Sequence, residues 1–367
     1  MARSAEYNLG EFAFPRGWFV VAESAAIGRQ PTNAHYFGQD VVIYRGESGS
    51  VAMLEAYCPH MGTHFGRSKS ARVVTSGKQI EGDSIRCPFH AWRFGPDGKC
   101  DNIPYFDGPI PEQARVRSWP VKERYGIVFC WNDPEGRAPD FDLPDYPEWD
   151  APQWLRWAGL DHLGDLPCHP IEIFDNTSDC AHLTVLHGGR VEYYENEVDG
   201  HIYYQRESQV PYMTGIGDAF KDKTGNQMRL TTLTYYTGPG LVTGRFFEAQ
   251  GAQLIAATPI DDGSARLWQC AMIKPRDGMT GEAARTLLQD FNKNMYKGLA
   301  MEDGEIWANK RAATQVLQLP TDGPFRQARV WYSQFFNPRG KAAQILERVN
   351  GKHFVRGIPG FAQMAAE

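Results

Sequence analysis

The chain has 367 residues, enough for one large hydrophobic core or two of ordinary size, and 42% of them are hydrophobic. Its 44 acidic and 38 basic residues give a net charge of -6 without a basic block, so the electrostatic footprint of a nucleic-acid-binding protein is missing. The sequence contains neither a secretion signal nor an apolar run long enough to span a membrane, and its seven dispersed cysteines are typical of a reducing compartment. We therefore expect a cytoplasmic protein.

The first part of the sequence predicts a small all-β domain at residues 17–132, preceded by an N-terminal arm at 1–16. Short strand-like runs alternate there with Gly, Pro and Asp, namely WFVVAES, VVIYRG, VAMLEAY, SIRCPFHAWRF and YGIVFCWND. The stretch that follows, DPEGRAPDFDLPDYPEWDAP, is rich in Pro and Asp and has no periodicity. It predicts an extended linker at 133–153.

The second part, residues 154–367, predicts an α+β domain made of an antiparallel sheet and helices. The strand candidates are HIYYQRES, RLTTLTYYTG, VTGRFFEAQ, AQLIAATPI and ARLWQCAMIKP. Thr280 is a candidate N-cap for a long helix that would run to about Lys310. An α+β fold class for the chain, with the all-β domain first, is the simplest assembly of these elements.

Two short motifs in the first domain combine cysteine with histidine. Cys58 and His60 are separated by one residue, and Cys87 and His90 by two. A Cys2His2 set could hold zinc, although zinc sites usually pair like residues within one loop. One cysteine and one histidine from each of two loops is the pattern expected when two cysteines bind one iron and two histidines the other. Four buried core residues are the remaining alternative.

The motifs CPHMGTHFG and CPFHAWRF resemble those of Rieske [2Fe-2S] proteins. The resemblance implies that one such cluster is held by Cys58, His60, Cys87 and His90. The sequence departs from that pattern in the 26 residues between His60 and Cys87, where RSKSARVVTSGKQ is an excess segment. We predict that this segment forms a surface hairpin which leaves the cluster ligands unchanged.

The segment DNTSDCAHLTVLH, residues 175–187, places Asn176, Asp179 and His182 at steps of three, with His187 five residues further on. Five residues of α-helix turn by about 500°, so His187 would lie roughly 140° away from His182. The two imidazoles can meet at one point only if the helix ends or bulges between Leu183 and His187. Otherwise the two histidines are unrelated.

A third metal-ligand candidate lies on the long predicted helix. Four apolar residues form a stripe there, and continuing the stripe by four positions reaches Asp303; the four are Leu288, Phe291, Met295 and Leu299. Glu302 fits almost as well, and a solvated acidic turn is the alternative. Two histidines and one carboxylate form the facial triad of non-haem Fe(II) oxygenases.

The motifs CPHMG, CPFHAWRF, DNTSDCAHLTVLHG and MEDGEIWANK are together similar to Rieske non-haem iron oxygenases over nearly the whole chain, and most to those of the 3-ketosteroid 9α-hydroxylase family. The resemblance implies a helix-grip catalytic domain and one mononuclear Fe(II) bound by His182, His187 and Asp303 rather than Glu302. It also implies that Asp179 bridges His182 to His90 of the neighbouring subunit. Asn176 is a candidate for a hydrogen bond near the oxygen bound to the iron, with helix capping or an ordinary core hydrogen bond as the alternative.

The resemblance further implies a terminal oxygenase that acts as a head-to-tail homotrimer, because the cluster and the iron of one chain would be too far apart. Electrons from NAD(P)H would come from a separate flavin and iron-sulfur reductase, with or without a ferredoxin. O2 would then hydroxylate, desaturate or demethylate an apolar, steroid-like substrate. We expect an apolar cavity with aromatic lining candidates: Phe174, Tyr235, Tyr236, Phe246, Phe247, Trp268, Phe291 and Trp307. The alternatives are a zinc-stabilised lipid-binding module and a simple Rieske electron carrier.

Overall fold

The computed structural model describes residues 1–157, 159–211, 225, 228–276 and 278–361. The chain divides into two compact units, Phe19–Asn132 and a larger unit that combines Met1–Trp18 with Asp133–Glu367. The segments predicted as an arm and a linker thus both belong to the larger unit. Within the described ranges, no helix is long and apolar enough to cross a membrane.

The smaller unit is built from short strands in three sheets, with orders β1-β11-β10, β2-β3-β4-β9 and β5-β6-β7-β8. The strands are β1 (Gly17–Glu23), β2 (Thr32–Tyr36), β3 (Gln39–Arg45), β4 (Val51–Glu55), β5 (Ile80–Glu81), β6 (Ser84–Arg86), β7 (Arg93–Phe94), β8 (Cys100–Asn102), β9 (Ser118–Trp119), β10 (Val121–Arg124) and β11 (Ile127–Asn132). Strand β11 is buried at every position, as its continuous apolar run predicts.

The excess segment between the two Cys/His motifs does not form the predicted hairpin. It contains a single helical turn, α1 (Arg72–Thr75), whose residues are half-buried or exposed. The end of the segment is fixed by Gln79, whose side-chain Nε2 donates to the Phe65 carbonyl at 2.6 Å. A half-buried strand needs alternating apolar and polar residues, and this segment has two adjacent valines, Val73 and Val74, instead. The chain therefore forms a helical turn and no strand.

The larger unit contains one antiparallel sheet of eight strands in the order β12-β18-β17-β16-β15-β14-β13-β19. From β13 to β18 each strand pairs with the next one along the chain. The strands are β12 (Asp161–Leu166), β13 (Gly189–Asp199), β14 (Ile202–Pro211), β15 (Leu230–Thr237), β16 (Leu241–Phe246), β17 (Gly251–Pro259), β18 (Ala265–Ile273) and β19 (Gly351–Phe354).

The helices of the larger unit are α2 (Pro170–Asp175), α3 (Ala181–Val185), α4 (Gly281–Tyr296), α5 (Gly304–Asn309), α6 (Phe325–Ser333) and α7 (Arg339–Glu347). Helix α4 packs against β18 through Leu288, Phe291 and Met295, which share a buried cluster with Ala271 and Ile273. The predicted apolar stripe is therefore the face of the helix that packs against the sheet. The expected α+β class is confirmed.

The N-terminal segment is part of the main core of the larger unit. Tyr7 and Leu9 are buried in one cluster with Phe174 and Trp331, among others. The Tyr7 hydroxyl donates to the carboxylate of the buried Glu172 at 2.5 Å. Because these contacts bury both apolar and charged groups, the segment is a structural element of the larger unit.

Candidate metal centres and substrate cavity

The two Cys/His motifs lie at the tips of two tight turns in the smaller unit. In the first, the Cys58 backbone N-H donates to the Thr63 carbonyl at 2.9 Å, and a bridge joins Tyr57 to His64. In the second, between β6 and β7, the Cys87 N-H donates to the Trp92 carbonyl at 2.8 Å. Each turn therefore presents its cysteine and histidine from a fixed backbone.

The four side chains of these turns are brought together, with the sulfur atoms inside and the imidazoles outside. Cys58 and Cys87 are 2% and 1% exposed, whereas His60 is exposed and His90 half-buried. The two imidazole centroids are 4.8 Å apart, and His60 stacks on Trp92 at 4.4 Å. Two sulfur donors on one side and two nitrogen donors on the other fit a cluster whose two irons differ in their ligands.

The two cysteine thiols form a hydrogen-bonded pair whose pKa values shift in opposite directions. The pKa of the Cys87 thiol falls to about 6, chiefly because the Cys58 thiol donates a hydrogen bond to it; burial opposes this shift, and the backbone N-H groups of Phe89 and His90 add to it. The same hydrogen bond and burial raise the pKa of Cys58. Metal binding requires deprotonated thiols, and these N-H donors would stabilise the sulfur anions.

The chain between Asp175 and His187 bends as the two histidines require. Helix α2 gives way to a 3-10 turn at Asn176–Ser178, and α3 ends at Val185. Beyond it, the Leu186 N-H donates to the His182 carbonyl at 2.7 Å, and the His187 N-H approaches the same carbonyl at 3.4 Å, a π-type i to i-5 contact. The predicted deformation after His182 is confirmed, and the two imidazole centroids lie 5.2 Å apart.

A second deformation, which the sequence pattern did not predict, lies in the long helix. Between α4 and α5 the chain forms a π-helix, Lys297–Asp303. Asp303 is 8% exposed at its end, and Glu302 is half-buried beside it. The His187 ring lies between the two acids, with Nδ1 2.8 Å from Glu302 Oε2 and Nε2 3.4 Å from Asp303 Oδ1. Both acids therefore face the histidine, through opposite nitrogens.

His182, His187 and Asp303 each offer one ligand atom, and the three atoms lie within 4.8 Å of one another. Ligands about 2.1 Å from one metal ion are roughly 3 Å apart at neighbouring coordination positions, so small side-chain rotations would suffice to bind one ion. The donor set of two imidazoles and one carboxylate fits non-haem Fe(II).

Asn176 contacts the carboxylate of this group. Its Nδ2 donates to Asp303 Oδ1 at 3.0 Å, and its own Oδ1 accepts from Trp307 Nε1 at 3.3 Å. Because both ends of the amide are engaged, the orientation of Asp303 is fixed. The sequence pattern predicted that Asn176 lies near the metal site, but not that it acts on Asp303.

Asp179 lies immediately before helix α3. Its Oδ1 accepts from the backbone N-H groups of Ala181 and His182, at 2.9 and 3.2 Å, and its Oδ2 is 3.7 Å from His182 Nδ1. Burial raises the pKa of Asp179, but the imidazole and the N-H donors lower it by more, so the carboxyl is ionised at neutral pH. With 27% of its side chain exposed, Asp179 connects His182 to the protein surface.

The protonation of His187 reflects the two acids around it. Burial lowers the pKa of the imidazole, but Asp303 and then Glu302 outweigh that effect and raise it to about 9. Without a metal ion, His187 is thus an imidazolium at neutral pH and forms ion pairs with both carboxylates. A divalent cation would replace that proton and satisfy the same negative charges.

Two cavities reach this group of residues. One of about 190 Å³ is lined by His187 and Asp303, and a second of about 120 Å³ by His182, Asn176 and Asp303. Of the eight aromatic candidates, Phe246 lines the first and Tyr236 and Trp307 the second; the other five line neither, and Phe247 is 54% exposed. The expected apolar lining is wrong in part, since the larger cavity also has a polar wall: Gln205, Glu207, Gln209, Thr232, Thr234 and Gln253.

Comparison with known proteins identifies both units. Residues 17–120 match the Rieske [2Fe-2S] domain, and residues 130–336 match the 3-ketosteroid 9alpha-hydroxylase C-terminal domain. The chain is 30% identical to a 3-ketosteroid-9-alpha-monooxygenase oxygenase component of Rhodococcus rhodochrous, over 96% of this chain and 90% of that protein. It is 28% identical to the cholesterol 7-desaturase of Caenorhabditis elegans, over 88% and 77%.

Solved structures of low sequence identity share the fold. The Pseudomonas putida CBB5 NdmA structure with caffeine superposes with a TM-score of 0.65 at 14% identity, covering 91% of this chain and 94% of that one. A dicamba monooxygenase structure gives 0.60 at 18% identity, covering 91% and 98%. The chain is thus an oxidoreductase with a [2Fe-2S] cluster and a mononuclear iron, and it uses O2, a substrate and electrons from a separate reductase. It belongs to the Rieske non-haem iron oxygenases, in the family of the 3-ketosteroid 9α-hydroxylase oxygenase components.

Proposed function

We propose that the mononuclear iron is held by His182, His187 and Asp303. The observation that carries this proposal is the convergence of three donor atoms, from two separate helical segments, on a cavity in the larger unit. When bound there, iron supplies the oxidation chemistry with O2. The cluster ligands that we propose are those of the two turns in the smaller unit: Cys58, His60, Cys87 and His90.

The remaining residues of the site position the ligands and the substrate. Asn176 orients Asp303 through its amide, and Trp307 in turn holds Asn176. Leu183, Leu299 and Ile255 line both cavities, so they exclude water from the place where substrate would be oxidised. The protein's share in catalysis is to hold one C-H bond near the iron.

Glu302 is a positioning residue for His187, and its replacement should weaken iron binding. The Glu302→Gln variant loses the charge that orients the imidazole and raises its basicity. We expect the dissociation constant for Fe(II) to rise by about 10- to 100-fold, the range typical of such outer partners. Anaerobic Fe(II) titration measures this change. The matched control is Glu305→Gln, an exposed acid three residues along; equal affinity in both variants would rule out this role.

Asp179 is the proposed path for the electron between the two metal centres. It contacts His182 and reaches the surface, where it would meet His90 of the neighbouring subunit in a head-to-tail homotrimer. The homotrimer is supported by exposed apolar side chains on the segments that carry both centres. On the cluster side they are Met61, Phe89, Tyr105 and Phe106, and on the iron side Val185, Met301 and Ile306. A second copy of this chain would cover both surfaces.

The substrate that we propose is an apolar polycyclic molecule of the steroid type, to be hydroxylated, desaturated or demethylated. The support is the activity of the relatives, a 3-ketosteroid monooxygenase component and a cholesterol desaturase, together with the apolar part of the cavity. The electron donor would be a flavin and iron-sulfur reductase, with or without a ferredoxin. We place the reaction in the cytoplasm, where all seven cysteines would remain free thiols or cluster ligands.

The experiment that tests this proposal is a screen of steroids and other polycyclic compounds with a surrogate reductase, NADH and isotopically labelled O2. Hydroxylation is expected to give a product heavier by one labelled oxygen atom, and desaturation a product lighter by two hydrogens. No oxidised product across the screen, from protein with both metal centres intact, would contradict the steroid-type substrate.

A further inference from the structure

The larger cavity has a polar wall that the iron site does not explain. Its main element is β14, on which Gln205, Glu207 and Gln209 alternate and all face the cavity. Thr232 lies opposite Glu207 on β15 and lines the same cavity. The group of potential metal ligands found among the described residues consists of His182, His187 and Asp303, so Glu207 is not part of it.

Glu207 and Gln209 each leave one acceptor atom without a partner. Glu207 is 5% exposed; its Oε1 accepts from Thr232 Oγ1 at 2.8 Å and from Gln209 Nε2 at 3.4 Å. Within the described part of the chain, its Oε2 has no hydrogen-bond partner. Gln209 is 7% exposed, and its Oε1 is also unpartnered. Buried polar atoms are nearly always paired, so an unpartnered carboxylate oxygen of Glu207 in a cavity wall points to a ligand.

The position of the Gln209 amide depends on a glycine. A Cβ atom at Gly189, on the neighbouring strand β13, would lie 1.5 Å from Gln209 Oε1. Only the absence of a side chain there leaves space for the amide against the strand. Gln209 is held in place on one side by Gly189 and on the other by Glu207, which makes the pair a defined feature of the cavity wall.

The chemistry of the pair selects the group that it would bind. Glu207 Oε2 is the acceptor that remains for a ligand, since Gln209 Oε1 lies against Gly189 and Gln209 Nε2 holds the other carboxylate oxygen. Burial raises the pKa of Glu207, while Thr232 and the two iron-site histidines lower it in part. A hydroxyl group suits either state, since it donates to a carboxylate and accepts from a carboxylic acid, whereas a ketone can only accept and so binds only the carboxylic acid.

We propose that Glu207 and Gln209 form a subsite which binds a hydroxyl group of the substrate, so that the preferred substrate is an apolar polycyclic alcohol. The proposal rests on the oxygenase function given above and specifies its substrate class. The hydroxyl would fix the orientation of the carbon skeleton in the cavity and thereby choose the C-H bond presented to the iron.

The test compares three compounds with one skeleton, namely 5α-androstan-3β-ol, 5α-androstan-3-one and 5α-androstane. Their dissociation constants are measured by calorimetry on the iron-loaded protein without reductase. We expect the alcohol to bind roughly tenfold more tightly than the hydrocarbon and the ketone, the effect of the one additional hydrogen bond that its hydroxyl can donate. In Glu207→Gln the amide Nε2 can donate to the ketone, so the preference should shift from the alcohol to the ketone. The control Glu197→Gln removes a carboxylate that pairs with Arg206 instead of lining the cavity, and should keep the alcohol preference.

A second measurement separates a binding role from a structural one. In the absence of ligand, Glu207→Gln should melt close to the parent protein, because its amide oxygen can still accept from Thr232 and Gln209. A markedly lower melting temperature would show that Glu207 serves the fold and overturn the proposal. So would equal binding of the three compounds, binding of none, or an alcohol preference unchanged in Glu207→Gln. If the alcohol preference holds but no compound is oxidised, the subsite stands and the oxygenase function fails.

Discussion

Replacing Asp303 with alanine is expected to remove the mononuclear iron and abolish turnover while leaving the [2Fe-2S] cluster intact. Asp303 provides the carboxylate of the proposed metal group and is held by Asn176 at 3.0 Å. The loss of an outer partner of a ligand typically costs 10- to 100-fold in affinity or activity, so the loss of the ligand itself should exceed about 100-fold in both. Iron content, acid-labile sulfide and the spectrum of the reduced cluster are measured on the same anaerobic preparation.

The control for this variant is Glu305→Ala, which changes an exposed acid in helix α5 and should retain full iron. If Asp303→Ala retained its iron and its turnover, the proposed ligand set would be wrong. Stoichiometric zinc without iron in the parent protein would be a more serious contradiction, because it would favour a zinc-stabilised binding module. Unchanged turnover with a competent reductase would mean that the oxidation chemistry lies elsewhere.

Replacing Asp179 with asparagine is expected to leave both metal centres bound and to stop electron transfer between them. The amide keeps the size of the side chain and the acceptor for the Ala181 and His182 N-H groups, so α3 should remain folded. It loses the negative charge beside His182 and any ability to take up a proton. Turnover should fall by about 100-fold or more, as for the loss of other positioned proton-transfer groups.

The measurement for Asp179→Asn is a single turnover without reductase, starting from protein whose cluster has been chemically reduced. On mixing with O2 and substrate, the variant's cluster should stay reduced, whereas that of the parent protein should oxidise as product forms. The matched control is Asp199→Asn, at an exposed position on β13. Normal product formation by Asp179→Asn would refute the bridging role.

Six of the seven proposed metal ligands could be predicted from short, constrained motifs, whereas Asp303 was chosen over Glu302 only through the family resemblance. Cys58 and His60, like Cys87 and His90, are close enough in sequence for one turn to present both side chains. The five-residue step from His182 to His187 required a helix end, and α3 does end at Val185. In such motifs local geometry alone brings the ligands of one loop together.

The polar wall of the cavity could not be predicted in this way. Strand β14 reads IYYQRESQVP, in which the inward Glu207 has a polar residue, Arg206 or Ser208, on each side. A strand's buried face is recognised by alternation of apolar and polar residues, and here both faces are polar, so the sequence does not show which side chains point inward. The register of β14 with β13 and β15 decides which side chains point inward, and that register depends on the whole sheet.

The role of Glu302 and the place of the N-terminal segment were missed for related reasons. In an ordinary α-helix the side chains of consecutive residues, such as Glu302 and Asp303, point about 100° apart around the axis. The π-helix at Lys297–Asp303 lets both reach His187, and no composition signal marks it. The burial of Tyr7 depends on Glu172, a partner 165 residues away in the sequence. Contacts between such distant residues leave no local pattern.

We propose that a cluster held by one chain reduces an iron held by the next chain, through Asp179 of the chain that holds the iron. The most direct test of this proposal is to coexpress a Cys87→Ser chain, which should lack the cluster, with an Asp303→Ala chain, which should lack the iron, and to measure steroid oxidation by purified mixed trimers. Each variant alone should be inactive. In a mixed trimer of either composition, one of the three interfaces pairs an intact cluster with an intact iron, so about a third of the parent turnover is expected. Inactive mixed trimers that contain both kinds of metal centre would contradict the proposal.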